Sequence, residues 1–160
     1  MRTRDLRSLA ALAAGLGLLV SLFAAAEFFD ASLRAICSVN GSISCGAVDQ
    51  SGRTSTLFVP DYLWGVGGFV ALLVVAAIAE RRPADLRWAY GFVGLASAGV
   101  ALSAYLLYVE LALIHALCPV CVAAYLLGAV VWVSAIALLR RARARAARAD
   151  DADRPSAEAA

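Results

Sequence analysis

Four cysteines are the residues of this chain best suited to chemistry, and they fall into two pairs. Cys118 and Cys121 stand three apart in Leu117-Cys118-Pro119-Val120-Cys121-Val122, a Cys-x-x-Cys unit inside an apolar run. At a helix start, thiols at that spacing share a face and can close a disulfide or hold a metal. Pro119 suits the first helical turn, where its missing N–H forfeits no hydrogen bond. The same helix start would favour a thiolate beside it. Cys37 and Cys45 bound Ser38-Val39-Asn40-Gly41-Ser42-Ile43-Ser44, a stretch rich in turn formers. A flexible loop with a cysteine at each end opens or closes a disulfide at little backbone cost.

Three chemistries are open to these thiols, whose four sulfurs allow three disulfide connectivities. Structural staples are the first, although a bridge inside Cys118-Pro119-Val120-Cys121 closes a small ring of the exchangeable kind. A four-cysteine zinc site is the second. Such sites usually show two close pairs, whereas Cys37 and Cys45 are too widely spaced, and His115, the lone histidine, reads as a packed residue. The third is a two-pair relay, in which a mobile dithiol exchanges with a soluble partner and then with a fixed dithiol at the bilayer surface. A fixed dithiol beside lipid must lose its electrons to something lipid-soluble. With no haem or flavin motif in the chain, a quinone is the expected acceptor. Only the relay uses every cysteine.

The elements that carry these residues are membrane helices. Of the 160 residues, 62% are hydrophobic and 16% charged, against about 45–50% and about 25% in soluble domains. Mean hydropathy is +0.79. Nothing in this balance points to a nucleic-acid partner; the expected surroundings are lipid. A first span is expected at 8–26, preceded by a short tail (1–7). A cleaved signal peptide ending near Ala24-Ala25-Ala26 is the rival, but its apolar region is usually shorter. Residues 27–61 form a polar loop, with a weak pattern for a surface helix within Val48–Phe58. Further spans are expected at 62–79 and 88–113. In the latter, Gly91, Gly94, Ala98 and Gly99, with Ser97 and Ser103, would allow close helix packing. The run from Leu111 to Leu139 is too long for one span, and the Cys-Pro step breaks it, so a fourth span starts at 119 and runs to 139. Residues 140–160 read as a basic tail that turns disordered after Ala146. Glu110 lies near the outer end of the third span and is expected to reach the interface.

Arginines orient the bundle. All 14 basic residues are arginine: three in the N-terminal tail, three in the turn between spans two and three, and six in the C-terminal tail. The 27–61 loop holds two and the Cys118–Cys121 turn none. Both termini should therefore be cytoplasmic and all four cysteines outside, where disulfides are made and persist. The expected fold is an all-α membrane protein, a four-transmembrane-helix bundle with a cysteine-bearing outer loop between helices 1 and 2.

In this order, loop pair first and Cys-x-x-Cys at the fourth helix second, the sequence resembles the bacterial form of the vitamin K epoxide reductase family. The resemblance rests on Cys37-Ser-Val-Asn-Gly-Ser-Ile-Ser-Cys45-Gly-Ala-Val, Ser51, Phe58-Val59-Pro60-Asp61, and Cys118-Pro-Val-Cys121 followed by Tyr125, and it covers roughly Leu9 to Leu139. The four-helix disulfide bond formation protein B places its Cys-x-x-Cys before the other pair, the reverse order. The resemblance implies that Cys37 exchanges with a thioredoxin-like protein, that Cys45 passes electrons to Cys118, and that Cys121 faces the quinone, a menaquinone or ubiquinone. It implies further that Ser51 and Tyr125 lie near the quinone head group, and that Phe58 and Trp64 line its pocket, unless these aromatics are interfacial belt residues. Val59 stands where a glycine is usual and Asp61 where an uncharged amide is usual, which affects the shape of the loop cap. Many bacterial members carry a fused thioredoxin-like domain; this chain is too short for one, so a separate partner is expected. The implied activity is that of a quinone-dependent, disulfide-forming thiol oxidase of the inner (cell) membrane. The rival from another class is a structural or assembly membrane protein with inert disulfides.

Overall fold

A computed structural model describes residues 3–38, 40, 42–49, 51, 59–82 and 85–153. Its elements are α1 (Thr3–Phe29), α2 (Ala31–Cys37), α3 (Cys45–Asp49), α4 (Asp61–Arg81), α5 (Leu86–Tyr108) and α6 (Pro119–Asp153), with α5 continued by a π-helical segment, Val109–Ile114. In lipid every backbone polar group must be satisfied within the segment, which a helix does. Four helical stretches, Thr3–Phe29, Asp61–Arg81, Leu86–Ile114 and Pro119–Asp151, are long and apolar enough to cross a bilayer. The protein is an all-α, multi-pass membrane protein, as the length of its apolar runs implies. The surface helix expected within Val48–Phe58 lies mostly outside the described residues; the short helix that is present, α3, starts earlier, at Cys45.

Helix α1 packs on α6 and α4, and α5 packs on α6 and α4. The buried core joins Ala10, Ala13 and Ala14 of α1 to Phe69 and Leu72 of α4, Phe92 and Ala96 of α5, and Val131 and Ala135 of α6. Small residues on α1 let the backbones approach, because lipid chains supply no hydrophobic drive between helices. A Cβ on Gly17 would overlap the Phe69 ring, and one on Gly65 would lie 2.7 Å from Ser21 Oγ. The expected glycine contacts on α5 are absent: a Cβ at Gly91, Gly94 or Gly99 would meet nothing within 4 Å. Close approach is made by α1 and α4, and the sequence could not assign it because small residues occur on every span. On α5 the polar Ser97 does serve packing, accepting from Trp132 Nε1 at 2.9 Å. Leu12, Leu19, Leu126 and Val133 point outward, as lipid-facing side chains should.

The up-and-down order brings the C-terminus of α1, the N-terminus of α4, the end of the π segment and the start of α6 to one end, and all four cysteines lie there. The arginine-rich ends meet opposite. There Arg145 donates to Thr3 Oγ1 at 2.8 Å and Arg143 Nε donates to Tyr90 Oη at 2.7 Å. Helix α6 continues to Asp153, so the expected disorder after Ala146 is not found over residues 146–153. Alanine and arginine are strong helix formers, and extending an existing helix needs no new nucleus.

Candidate active site

The loop pair is held from both sides. Asp30 starts α2: its Oδ1 accepts from Ser32 N at 2.8 Å and from Ser32 Oγ at 2.5 Å. These bonds, the side-chain one foremost, hold the Asp30 carboxyl below the usual aspartate range. Arg34 then reaches back, with Nε donating to Glu27 O at 3.2 Å and Nη2 to Phe28 O at 2.9 Å. It thereby satisfies carbonyls that the last turn of α1 leaves open. Gly46 lies against the Arg34 stem, where a Cβ would meet Cδ at 3.0 Å, so α3 seats on α2. Asn40 Oδ1 accepts from Ser42 N and Ile43 N at 3.0 and 2.8 Å, closing the turn between the cysteines. Cys37 and Cys45 form a disulfide with Cα atoms 5.7 Å apart.

The second pair meets the first through a short backbone pairing. Ile43 pairs in parallel with Leu117; Leu117 N donates to Ser42 O at 2.9 Å and Ser44 N to Leu117 O at 3.0 Å. The arm expected to be mobile is docked here, and Cys45 and Cys118 are 0% and 1% exposed. Cys118 Sγ lies 3.0 Å from Cys45 Sγ, and the sulfurs of Cys37, Cys45 and Cys118 all lie within 4.8 Å of one another. Cys121 N donates to Cys118 Sγ at 3.3 Å, a donor aimed at the sulfur that must carry negative charge when an S–S bond breaks. Cys37 is partly exposed, while Cys118 and Cys121 are free thiols.

The π-helical segment sets the approach to Cys118. It closes at His115, whose φ of 58° is left-handed, and the amides of His115 and Ala116 both donate to Glu110 O. Histidine tolerates that backbone better than most residues. It is exposed and turns the chain; the packed side chain expected for it is not found. Glu110 also departs from expectation. It is fully buried and does not reach the interface: Oε2 accepts from Cys118 N at 3.2 Å and Oε1 from Tyr125 Oη at 2.7 Å. Glu110 lies 18 residues after Phe92 and four after Leu106, on the buried face of α5, a register that its place near the end of the third span does not by itself reveal.

A cavity opens between the helices beside these thiols, with an empty volume of about 890 Å³ counting its mouth. Cys118, Cys121, Tyr125, Trp64, Asp61 and Glu27 line it, on walls that are otherwise mostly apolar. Of the four residues expected around a head group, Trp64 and Tyr125 are therefore on the cavity wall. Ser51 is not among its described lining residues; its Oγ donates to Val48 O at 2.7 Å, in the helix that carries Cys45. Phe58 lies outside the described residues. Glu27 is 1% exposed and its Oε1 has no hydrogen-bond partner among the described residues. By sequence Glu27 falls at the start of the 27–61 loop. The apolar Phe28-Phe29 beyond it was the signal that α1 continues and carries it into the bundle.

Three converging sulfurs can exchange disulfides along the line Cys37, Cys45, Cys118, and Cys121 abuts a largely apolar cavity. The same sulfurs meet the distance requirement for metal ligands, but two of them are bonded to each other. Compared with known families, residues 8–136 match the model of the Vitamin K epoxide reductase family.

Proposed function

This chain belongs to the vitamin K epoxide reductase family, and from that membership and the sulfur contact we propose that it is a membrane thiol oxidase making disulfides outside the cytoplasm. Electrons enter from a reduced thioredoxin-like protein at Cys37/Cys45, pass to Cys118/Cys121, and leave to a membrane quinone. The observation that carries this is the 3.0 Å approach of Cys118 Sγ to Cys45 Sγ, between residues 73 apart in sequence. Inert staples would have no reason to bring a free, buried thiol onto a disulfide.

Each residue's task follows from its exposure. A partner thiolate attacks Cys37, the more exposed residue of the outer pair, and Cys45 leaves as thiolate; the partner's second thiol then releases Cys37 and completes the partner's disulfide. Cys45 attacks Cys118 of a Cys118–Cys121 disulfide, freeing Cys121, and Cys37 attacks Cys45 in turn, restoring its own bridge and leaving the inner pair reduced. That product is the pattern in the structure: an oxidised outer pair and two free inner thiols. A quinone supplies the two-electron sink when bound. The cavity suits one: apolar walls, a free thiol at Cys121, the Trp64 indole and the Tyr125 hydroxyl. The family pattern implies quinone contacts for Ser51 and Phe58 as well. The arginine-rich end faces the cytoplasm, and the membrane is the inner (cell) membrane.

The test follows oxidation of a reduced thioredoxin-like protein in membranes with added quinone. Cys37→Ala and Cys121→Ala should each bring it to the rate without enzyme. Oxidation at the parent rate by either variant would contradict the relay.

A further inference from the structure

We propose that Glu110 is a positioning residue that hands one proton to the electron acceptor through Tyr125, turning the Tyr125 hydroxyl from hydrogen-bond acceptor to donor. This rests on the quinone reading above and deepens it.

Tyr125 lines the cavity and has one hydroxyl proton, which it gives to Glu110 Oε1 at 2.7 Å. Toward the cavity it then offers only lone pairs. A quinone carries carbonyls, which accept hydrogen bonds and cannot donate them; a hydroquinone carries O–H groups, which donate. The arrangement therefore complements the reduced ligand. A proton on Glu110 Oε1 reverses it: the carboxyl donates to Tyr125 Oη, and Tyr125 donates to a ring carbonyl. Only a carboxyl at position 110 can serve both states. Its second oxygen holds Cys118 N at 3.2 Å, so the group that reads the ligand also touches the backbone of the exchanging cysteine. A buried carboxyl kept solely to bind one amide would leave its other oxygen at a cost that an uncharged side chain avoids.

The step balances without another reactant. Two electrons leave the Cys118/Cys121 dithiol as their S–S bond forms, and the two thiols release two protons. The ring oxygens take up both electrons and two protons. One proton passes from Glu110 to Tyr125 Oη as Tyr125 releases its own to a ring oxygen, and the carboxylate stays ionised while the hydroquinone is bound. One thiol proton goes to the second ring oxygen and the other to water, from which Glu110 is reprotonated when a quinone replaces the hydroquinone.

Glu110→Gln keeps both contacts, its carbonyl accepting from Cys118 N and its amide donating to Tyr125, but it locks Tyr125 as a donor. Binding is read by quenching of tryptophan emission, Trp64 being on the cavity wall, in full-length protein with Cys118 and Cys121 replaced by Ser to stop turnover. The probes are a short-chain ubiquinone and its hydroquinone. Expected is quinone affinity within about twofold of the Glu110 protein and hydroquinone affinity weaker by about tenfold, the worth of one buried hydrogen bond. In the enzyme with its cysteines, KM for the quinone should hold while kcat falls by about 10²-fold. Equal weakening of both ligands, or no change in either, overturns the proposal. Should the variant not fold, the infrared difference spectrum of the Glu110 protein decides. A carboxylic-acid band present with the quinone and lost with the hydroquinone supports proton transfer, and its absence overturns it. If the Glu110 protein binds neither probe, the quinone reading fails, and this proposal with it; binding of both without discrimination by Glu110→Gln fails this proposal alone.

Discussion

Cys118→Ser is expected to slow oxidation of a thioredoxin-like partner by at least about 10³-fold and to leave Cys37 and Cys45 reduced once the partner has been added, because only the inner pair reoxidises them. A hydroxyl cannot replace the sulfur that sits 3.0 Å from Cys45, and no other free thiol is positioned to do so: Cys121 donates its amide to Cys118 and faces the cavity instead. Because Cys45 and Cys118 act as one unit, Cys45→Ser should cost about as much, and the double variant little more than either alone. Acid quenching and alkylation of the partner thiols measures this directly. Additive losses would mean that the two sulfurs work on separate routes. A disulfide used only as a staple gives a different outcome, with stability falling and no partner oxidation to lose.

Leu117→Pro is the second variant of large expected effect. Proline has no N–H to give Ser42 O, so the 2.9 Å bond that ties the loop to the start of α6 is lost, and the preceding Ala116 is restricted as well. The pairing is the only described backbone tie between the two cysteine pairs. Loosening it should lower the exchange rate by about 10–10²-fold, the cost of misplacing reacting atoms by about an ångström. Leu117→Ala keeps the N–H and should exchange near the parent rate. Rapid-quench trapping of the intramolecular exchange distinguishes them; equal rates for Pro and Ala would show that the pairing does not position the sulfurs.

How far these features were legible in the sequence depends on how local their causes are. The four spans, the break at Cys118-Pro119, and the arginines gathered at one end follow from run length, one proline and residue counts, all readable along the chain. The cysteine order was legible for the same reason, and it led to the family that residues 8–136 match. The docking of Ile43 on Leu117 was not, since two residues so far apart carry no mark that they pair. The loop's turn formers suggested mobility, whereas Asn40, Arg34 and Gly46 use that freedom to fold the loop against α1 and α6. Burial of charge was the other blind spot. Glu110 sits at a span's end by count yet shares the buried face of Phe92, Ala96 and Leu106, and Glu27 is carried inside because α1 runs on through Phe29. Both put a carboxyl beside the cavity, and only the three-dimensional path of the helices shows it.

Trapping the mixed disulfide in the Cys121→Ala variant tests the relay most directly. Without Cys121, Cys118 can attack Cys45 but has no neighbouring thiol with which to form the inner bridge. Membranes are quenched in acid, the free thiols alkylated, and the digested protein analysed by mass spectrometry without reduction. The relay predicts that a Cys45–Cys118 peptide pair accumulates, with Cys37 alkylated, and that Cys45→Ala abolishes it. Recovery of Cys37–Cys45 alone, with Cys118 fully alkylated, would contradict it.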